Sequence, residues 1–225
     1  YGSTFNQLLA ELFGEEKVYG DKMPVRIGMH PAKAYTALAQ WQNYDGYRAM
    51  YESANLDRQG LIIWMSHSCW PSMVWQTYDY YFDPTAAFFG IKKACEPLHV
   101  QYNASTAQVQ LVNMMKPAQD IKVIATMYDL KGKEVWKKAD SAHLPSDSTV
   151  NCFEVLSPDT TKSFMLRLEA VSMLNGELLS TNTYFLWGNE SAKELDSMPI
   201  AKVDVRLVFK PTMHFVITNT GDTPA

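Results

Sequence analysis

The feature that most constrains the fold is a change of hydrophobic period near Pro97. Beyond this residue, apolar and polar residues alternate in short runs separated by turn residues, as they do in half-buried antiparallel strands. About seven such strands in about 90 residues predict an immunoglobulin-like β-sandwich over residues 96–188. The clearest runs are 99–102, 108–112, 121–125, 163–168 and 181–187.

Two turns support this arrangement. Lys131-Gly132-Lys133 and Asn175-Gly176-Glu177 both separate alternating runs, and the second contains the Asn-Gly pair that tight hairpins favour. After a polar linker, alternation resumes at Val203 to Phe209 and at His214 to Thr218. Two strands are not stable by themselves, so residues 198–225 are predicted to be the truncated start of a second β-sandwich.

The N-terminal part of the chain carries a different pattern. Phe5, Leu8, Leu9 and Leu12 are spaced for one face of a helix, and a second helix is predicted from Pro31 to about Asn55. The continuous apolar run at 61–65 is typical of a strand that is buried on both faces of a parallel sheet.

A further helix is predicted to start at Asp83-Pro84, an N-cap followed by a first-turn proline, and to end near Cys95. The order helix, strand, loop, helix is typical of a barrel or of a doubly wound sheet. Residues 1–95 are therefore too few to complete a (β/α)8 barrel, which needs about 250 residues.

Composition excludes several classes of partner. The formal net charge is -4, with acidic and basic residues well mixed, so no basic stripe predicts nucleic-acid binding. No apolar run approaches the roughly 20 residues of a membrane-spanning helix. The chain has three cysteines, Cys69, Cys95 and Cys152. Their number is odd and their spacing fits neither a disulfide framework nor a metal site, so they are predicted to be buried thiols. No metal and no other cofactor is predicted.

Three segments carry a family resemblance. Residues 60–75 (GLIIWMSHSCWPSMVW), 78–81 (YDYY) and 89–102 (FGIKKACEPLHVQY) closely resemble exo-β-D-glucosaminidases and related β-mannosidases of glycoside hydrolase family 2. The resemblance continues more weakly through 128–132 and 183–187, and residues 219–225 look like an early strand of that family's last domain. It implies a mixed fold: the C-terminal edge of a (β/α)8 barrel, then an all-β immunoglobulin-like sandwich, then the start of a second sandwich.

The resemblance also implies an activity. Enzymes of this type hydrolyse β-glycosides with retention, using one carboxylic acid as the acid and another carboxylate as the nucleophile, about 5 Å apart. By order along the chain both should precede Tyr1, so this segment is predicted to contain no catalytic residue. The acidic residues of the helical region are instead expected on solvated helix faces. They are Glu11, Glu15, Glu16, Asp45 and Glu52.

The segment is predicted to supply one wall of the sugar pocket. Trp64 stands near the end of the implied last barrel strand, where side chains face the active site, and the resemblance implies that its ring stacks against the sugar. Ser66 and His67 follow it, and Trp70 and Tyr78 are candidates for the outer pocket. Core packing of Trp64, a structural role for His67, and loop packing of Trp70 and Tyr78 are the alternatives.

The predicted function is that of part of a retaining β-glycosidase acting on terminal β-linked glucosamine or mannose. Its partners would be an oligosaccharide or polysaccharide substrate and the rest of the parent polypeptide, with neither nucleic acid nor membrane. The family implies a secreted or periplasmic location. The alternatives are a non-catalytic carbohydrate-binding or scaffold module and, within the family, a β-galactosidase or an endo-β-mannosidase.

Overall fold

The computed structural model describes residues 31–57, 60–72, 76–114, 116–190, 198–199, 201–209 and 212–221 of the 225-residue chain. The predicted helix around Phe5 to Leu12 lies outside the described residues. Neither of the described helices is long and apolar enough to cross a membrane.

Two helices precede the sheets. Helix α1 spans Pro31–Asp57, which confirms the predicted helix from Pro31 to about Asn55. Helix α2 spans Ala86–Ala94 and ends where predicted, but the N-cap is Thr85 and not Asp83. Asp83 is taken up by a turn before the helix, where its backbone N–H donates to Asp79 Oδ1 at 2.9 Å.

Seven strands form two antiparallel sheets, and this confirms the predicted immunoglobulin-like sandwich. The three-stranded sheet has the order β1-β2-β5, and the four-stranded sheet has the order β4-β3-β6-β7. The strands are β1 Leu98–Asn103, β2 Gln108–Asn113, β3 Gln119–Asp129, β4 Glu134–Leu144, β5 Ser148–Glu154, β6 Phe164–Ser172 and β7 Leu178–Leu186.

Both predicted turns are present. Gly132 joins β3 to β4 with φ 88°, and Gly176 joins β6 to β7 with φ 73°. These values lie in the left-handed region, which glycine enters without the steric cost that a Cβ brings. Asn175 Oδ1 also accepts the backbone N–H of Glu177 at 3.1 Å, which holds the second turn.

The core of the sandwich lies between the two sheets. Inward-facing side chains alternate with outward-facing ones along β6, where Leu166 and Leu168 are completely buried. They pack with Val100, Leu111 and Ile121 in one continuous apolar cluster. Burial of this cluster is the main force that holds the two sheets together.

Replacing Leu166 with alanine should therefore destabilise the sandwich by about 2–5 kcal/mol, because the lost apolar contacts leave a cavity in a closely packed core. Urea unfolding followed by circular dichroism measures this change. Leu174→Ala is the matched control, since Leu174 is 94% exposed at the β6–β7 turn and its loss should change stability by less than about 0.5 kcal/mol. Equal losses in the two variants would contradict this account of the core.

A two-stranded hairpin follows the sandwich. Strands β8 (Val203–Val208) and β9 (His214–Asn219) form where the sequence predicted them, and they pair antiparallel. Its apolar side chains are exposed, including Val205, Phe215 and Ile217 at 57%, 69% and 70%. A hairpin of this kind gains stability when further strands or another surface covers it.

The cysteine prediction was wrong. Cys69 and Cys95 are exposed and Cys152 is half-buried, and all three are free thiols. Cys69 belongs to the connection before α2, and Cys95 follows the last residue of that helix. Cysteine is a small side chain that is usually buried, but its neighbours at these two positions leave it open to solvent.

Candidate functional site

All the predicted sugar-contacting residues lie in the connection between α1 and α2. Residues 60–66 form no strand, and Ile62 is fully exposed, so the predicted buried strand at 61–65 is wrong for this structure. A strand requires a neighbour for its backbone hydrogen bonds. The three sheets of the described chain lie entirely beyond residue 97 and offer this run none.

Two tryptophans of this connection project into solvent. Trp64 is 82% exposed and Trp70 is 68% exposed. The chain bends directly after Trp64, because Met65 adopts φ 63°, an uncommon conformation for a residue with a side chain. Rings this exposed gain free energy when another surface covers their apolar faces.

The other three predicted site residues are brought together by a short bridge. His67 pairs with Tyr78, and Ser66 accepts hydrogen bonds at its backbone oxygen from Tyr78 N and Thr77 Oγ1, both at 2.9 Å. The His67 ring stacks on Phe82, with centroids 4.2 Å apart and planes 15° apart. The bridge therefore holds the half-buried imidazole in a fixed position on the loop.

Asp79 organises the tip of this loop, a role that sequence reasoning missed. Its Oδ1 accepts the backbone N–H groups of Tyr81 and Asp83, at 2.8 and 2.9 Å. An aspartate that bonds to nearby backbone N–H groups is a common signal of a turn. The signal is present in the sequence, but it is easily overlooked because Asp79 lies among the tyrosines of the run 78–81.

Helices α1 and α2 pack closely, so both ends of the connection are fixed. Gln40 Oε1 on α1 accepts the backbone N–H of Ala86, the first residue of α2, at 2.7 Å. A Cβ on Gly90 would lie only 2.3 Å from the backbone oxygen of Tyr44. Glycine at this position allows the two backbones to touch.

Helix α1 is joined to the sandwich by a buried polar group that we call the junction cluster: Arg48, Glu52, His99, Asn182 and Tyr184. Glu52 Oε1 is its centre and accepts hydrogen bonds from three sides. Tyr184 Oη donates at 2.7 Å, Asn182 Nδ2 at 2.9 Å and His99 Nε2 at 3.0 Å. Glu52 is only 6% exposed, so its predicted place on a solvated face was wrong.

His99 lies between two carboxylates and is completely buried. Its Nε2 faces Glu52, and its Nδ1 is 3.3 Å from Glu96 Oε2. Burial lowers the pKa of His99, but hydrogen bonds to Glu52 and Glu96 outweigh this effect and raise it. For Glu96, burial raises the pKa, but hydrogen bonds from His99, Lys93 and Ser180 lower it to about 2.

Arg48 connects the cluster to the surface of the helix. Its guanidinium donates to Asn182 Oδ1 at 2.9 Å, to the backbone oxygen of Thr183 at 2.6 Å and to Asp45 Oδ1 at 2.5 Å. It also lies over the Tyr184 ring, 4.2 Å from the centroid. Arg48 and Glu52 are one helical turn apart, and this i, i+4 spacing is the sequence signal that could have placed them on one face.

The chemistry of the junction cluster is that of a structural contact. Its carboxylate and imidazole bond to each other, its guanidinium bonds to Asn182, Thr183 and Asp45, and all three groups are buried. Arg48 Nε is buried without a hydrogen-bond partner in the part of the chain that the structure describes. Among the described residues, no group of three or more His, Cys, Asp or Glu side chains is arranged to hold a metal ion. The predicted site residues instead lie on the connection around Trp64, where large aromatic side chains are exposed.

Comparison with known proteins agrees with the sandwich and with the relationship predicted from sequence. Residues 105–187 match the mannosidase Ig/CBM-like domain. An exo-β-D-glucosaminidase of Hypocrea jecorina is 29% identical over 83% of this chain and 22% of its own length. Another, from Amycolatopsis orientalis, is 32% identical over 58% of this chain and 14% of its own length. Residues 105–187 therefore have the sequence of a mannosidase Ig/CBM-like domain, and the chain as a whole is similar to exo-β-D-glucosaminidases.

The chain is also similar to a plant enzyme. A mannosylglycoprotein endo-β-mannosidase of Lilium longiflorum is 30% identical over 66% of this chain and 16% of its own length. The chain therefore spans between 14% and 22% of the length of these three curated relatives. The part of the chain that the family model covers is the immunoglobulin-like domain.

Two solved structures share the fold. The Amycolatopsis orientalis exo-chitosanase in complex with PNP-β-D-glucosamine superposes with a TM-score of 0.75, at 20% identity, over 97% of this chain and 28% of that one. A β-D-mannosidase from Dictyoglomus thermophilum superposes with a TM-score of 0.66, at 19% identity, over 92% of this chain and 24% of that one. The likeness extends beyond the sandwich to most of the chain.

Proposed function

We propose that the polypeptide to which this segment belongs is a retaining β-glycosidase that removes terminal β-linked glucosamine or mannose residues. Four curated relatives that match between 79% and 95% of this chain are exo-β-D-glucosaminidases, from three fungi and one actinobacterium. Retaining hydrolysis uses two carboxyl groups about 5 Å apart. Both would come from the part of the polypeptide that precedes this segment.

Within that enzyme we assign residues 1–95 to the C-terminal edge of a (β/α)8 barrel, 96–188 to the immunoglobulin-like domain and 198–225 to the start of a second sandwich. The irregular, exposed run at 61–65 would then complete the barrel by pairing with strands that the preceding polypeptide supplies. Its apolar side chains, such as Ile62, would become buried in that assembly.

The role of this segment would be to form one wall of the sugar pocket. The observation that carries this role is the exposed Trp64 ring, held at a backbone bend between two helices that pack on each other. An indole face packs well against the C–H face of a sugar ring. Ser66, His67, Trp70 and Tyr78 lie on the same connection and would line the pocket around it.

The intact enzyme should hydrolyse PNP-β-D-glucosamine or the corresponding aryl β-mannoside, and proton NMR of the reaction should show the β-anomer as the first product. The 225-residue chain alone should be inactive on both. An intact polypeptide that binds oligosaccharides but hydrolyses neither substrate would overturn the enzyme proposal in favour of a carbohydrate-binding module.

Trp64→Ala in the intact enzyme should lower kcat/KM by about ten- to a hundredfold, since the loss of one large apolar contact costs about 1.5–3 kcal/mol. Trp64→Phe should recover part of this loss because it keeps an apolar ring. The control is Leu174→Ala, which removes a more exposed apolar side chain at the far turn of the sandwich and should leave kcat/KM unchanged. An unchanged kcat/KM in Trp64→Ala would rule out a sugar contact at this residue.

A further inference from the structure

The junction cluster determines where the Trp64 connection begins. Helix α1 carries Glu52 into the cluster, and three residues later Asn55 is tied to the sandwich twice: Thr149 Oγ1 donates to its backbone oxygen at 2.8 Å, and its Nδ2 donates to Gln101 Oε1 at 3.1 Å. Gln101 Nε2 in turn donates to the backbone oxygen of Glu52 at 3.2 Å. The end of α1 is thereby held on strands β1, β5 and β7.

The other end of the connection depends on the same helix. Helix α2 touches α1 at Gly90, and its first backbone N–H, that of Ala86, donates to Gln40 Oε1 on α1. A shift of α1 relative to the sandwich would therefore move both ends of the segment that carries Trp64. The sandwich, although it lies outside the predicted pocket, has a mechanical connection to it.

We propose that His99 is a positioning residue, a protonated link between Glu52 on α1 and Glu96 before β1 that locks the helix to the sandwich and releases it when the imidazole loses its proton. The geometry that supports the link is the placement of both ring nitrogens against carboxylate oxygens, at 3.0 and 3.3 Å. A neutral imidazole has one N–H and can donate to only one of the two; an imidazolium donates to both.

The other groups around His99 keep its two partners in place. Tyr184 and Asn182 on β7 donate to Glu52, and Lys93 on α2 donates to Glu96 at 2.7 Å. Burial raises the pKa of Tyr184 well above its usual value, so this phenol stays a donor through neutral and mildly alkaline pH. Arg48 contacts Asn182 and remains charged throughout. His99 is then the member of the cluster whose charge changes in this range.

The direction of the pH effect follows from the raised pKa of His99 in the folded chain. A released His99 would titrate near 6.5, so the stabilisation is complete below that pH. Above it, docking weakens by about tenfold per pH unit until the pH passes the pKa of the docked state. Glu96, with its pKa held at about 2, keeps its charge over this whole range.

The test uses the 225-residue chain. Nitrogen-15 NMR of labelled histidine reports whether the ring is an imidazolium, and the signal missing in His99→Gln assigns it. Hydrogen exchange of the backbone amides at 47–55, corrected for the intrinsic effect of pH, reports docking of α1. We expect an imidazolium at about pH 6, and helix protection that falls by about ten- to a hundredfold between about pH 6.5 and 9.

The matched control is His143→Gln. His143 also contacts a carboxylate, Asp120 Oδ1 at 2.7 Å, but both side chains are 66% exposed and remote from α1. It should reproduce the wild-type exchange profile, whereas His99→Gln should show weak protection with little dependence on pH. A neutral His99 at about pH 6, or wild-type protection that stays flat up to about pH 9, would overturn the proposal without reference to any variant.

A second measurement tests the connection to Trp64, and this part rests on the proposed function. In the intact enzyme, His99→Gln should raise KM for the aryl glycoside several-fold with little change in kcat, because it displaces a binding wall and not the carboxylates. If hydrogen exchange shows pH-dependent docking of α1 but KM does not change, His99 controls docking of the helix and does not affect substrate binding. If no aryl glycoside is hydrolysed even by the wild type, only the proposed function fails.

Discussion

Replacing Glu52 with leucine is expected to separate helix α1 from the sandwich and to destabilise the docked chain by about 3–5 kcal/mol. One buried oxygen of Glu52 accepts donors from Tyr184, Asn182 and His99. Leucine has a similar volume, so the cost arises from the donors that lose their acceptor and from the buried cations that lose a counter-charge. Urea unfolding and hydrogen exchange of α1 measure the loss.

Two further variants separate this effect from a general disturbance of the helix. Glu52→Gln keeps one oxygen acceptor and should lose less than the leucine variant, because hydrogen bonding survives in part while the charge does not. Met50→Ala changes a half-exposed side chain two residues away and should alter stability by less than about 0.5 kcal/mol. If Glu52→Leu unfolds at the same urea concentration as the wild type, the junction cluster does not contribute to docking.

Gly90→Ala should disrupt the packing of α2 on α1. The added Cβ would lie 2.3 Å from the backbone oxygen of Tyr44 and 3.2 Å from the backbone nitrogen of Arg48, and backbone atoms cannot move aside as a flexible side chain can. We expect a loss of about 3 kcal/mol or more, at the upper end of the usual cost of overpacking, despite the better helix propensity of alanine. The melting temperature and the exchange of α2 amides test this.

The chain supplies a matched control for this substitution. Gly46 also lies within a helix, α1, but a Cβ there would meet no atom within 4 Å. Gly46→Ala should therefore be neutral or stabilise the helix by up to about 1 kcal/mol. Similar melting temperatures for the two alanine variants would show that the helices are not in close contact at Gly90.

Arg48 connects the two predictions. It lies on the same helix as Tyr44 and Glu52, its guanidinium reaches Asn182 and Thr183 on β7, and its backbone passes beside Gly90. A displacement of α1 in Gly90→Ala should therefore also disturb the junction cluster. We expect the effects of Gly90→Ala and Glu52→Leu to be less than additive when combined, as for two changes that break one shared contact.

Local patterns were sufficient to predict the sandwich. Alternating runs such as 121–125 and 163–168 lie in strands β3 and β6. Each strand buries one face, and the alternation of apolar and polar residues shows which residues are on that face. The turns at Gly132 and Gly176 could also be predicted locally, because glycine readily adopts the positive φ that these turns require. The wall residues predicted around Trp64 lie together on one connection, but what they bind stays a prediction.

The sequence by itself determined the seven-stranded sandwich, the extent of helix α1 and the similarity to exo-β-D-glucosaminidases, because periodicity, turn residues and sequence motifs are local properties of the chain. Only the tertiary structure decided that Glu52 and His99 are buried and that the run at 61–65 forms no strand. Glu52 and His99 are buried because residues 47 positions apart meet across an interface. The apolar run forms no strand because a strand needs a neighbouring strand for its hydrogen bonds, and the sequence of the run does not determine whether one is present.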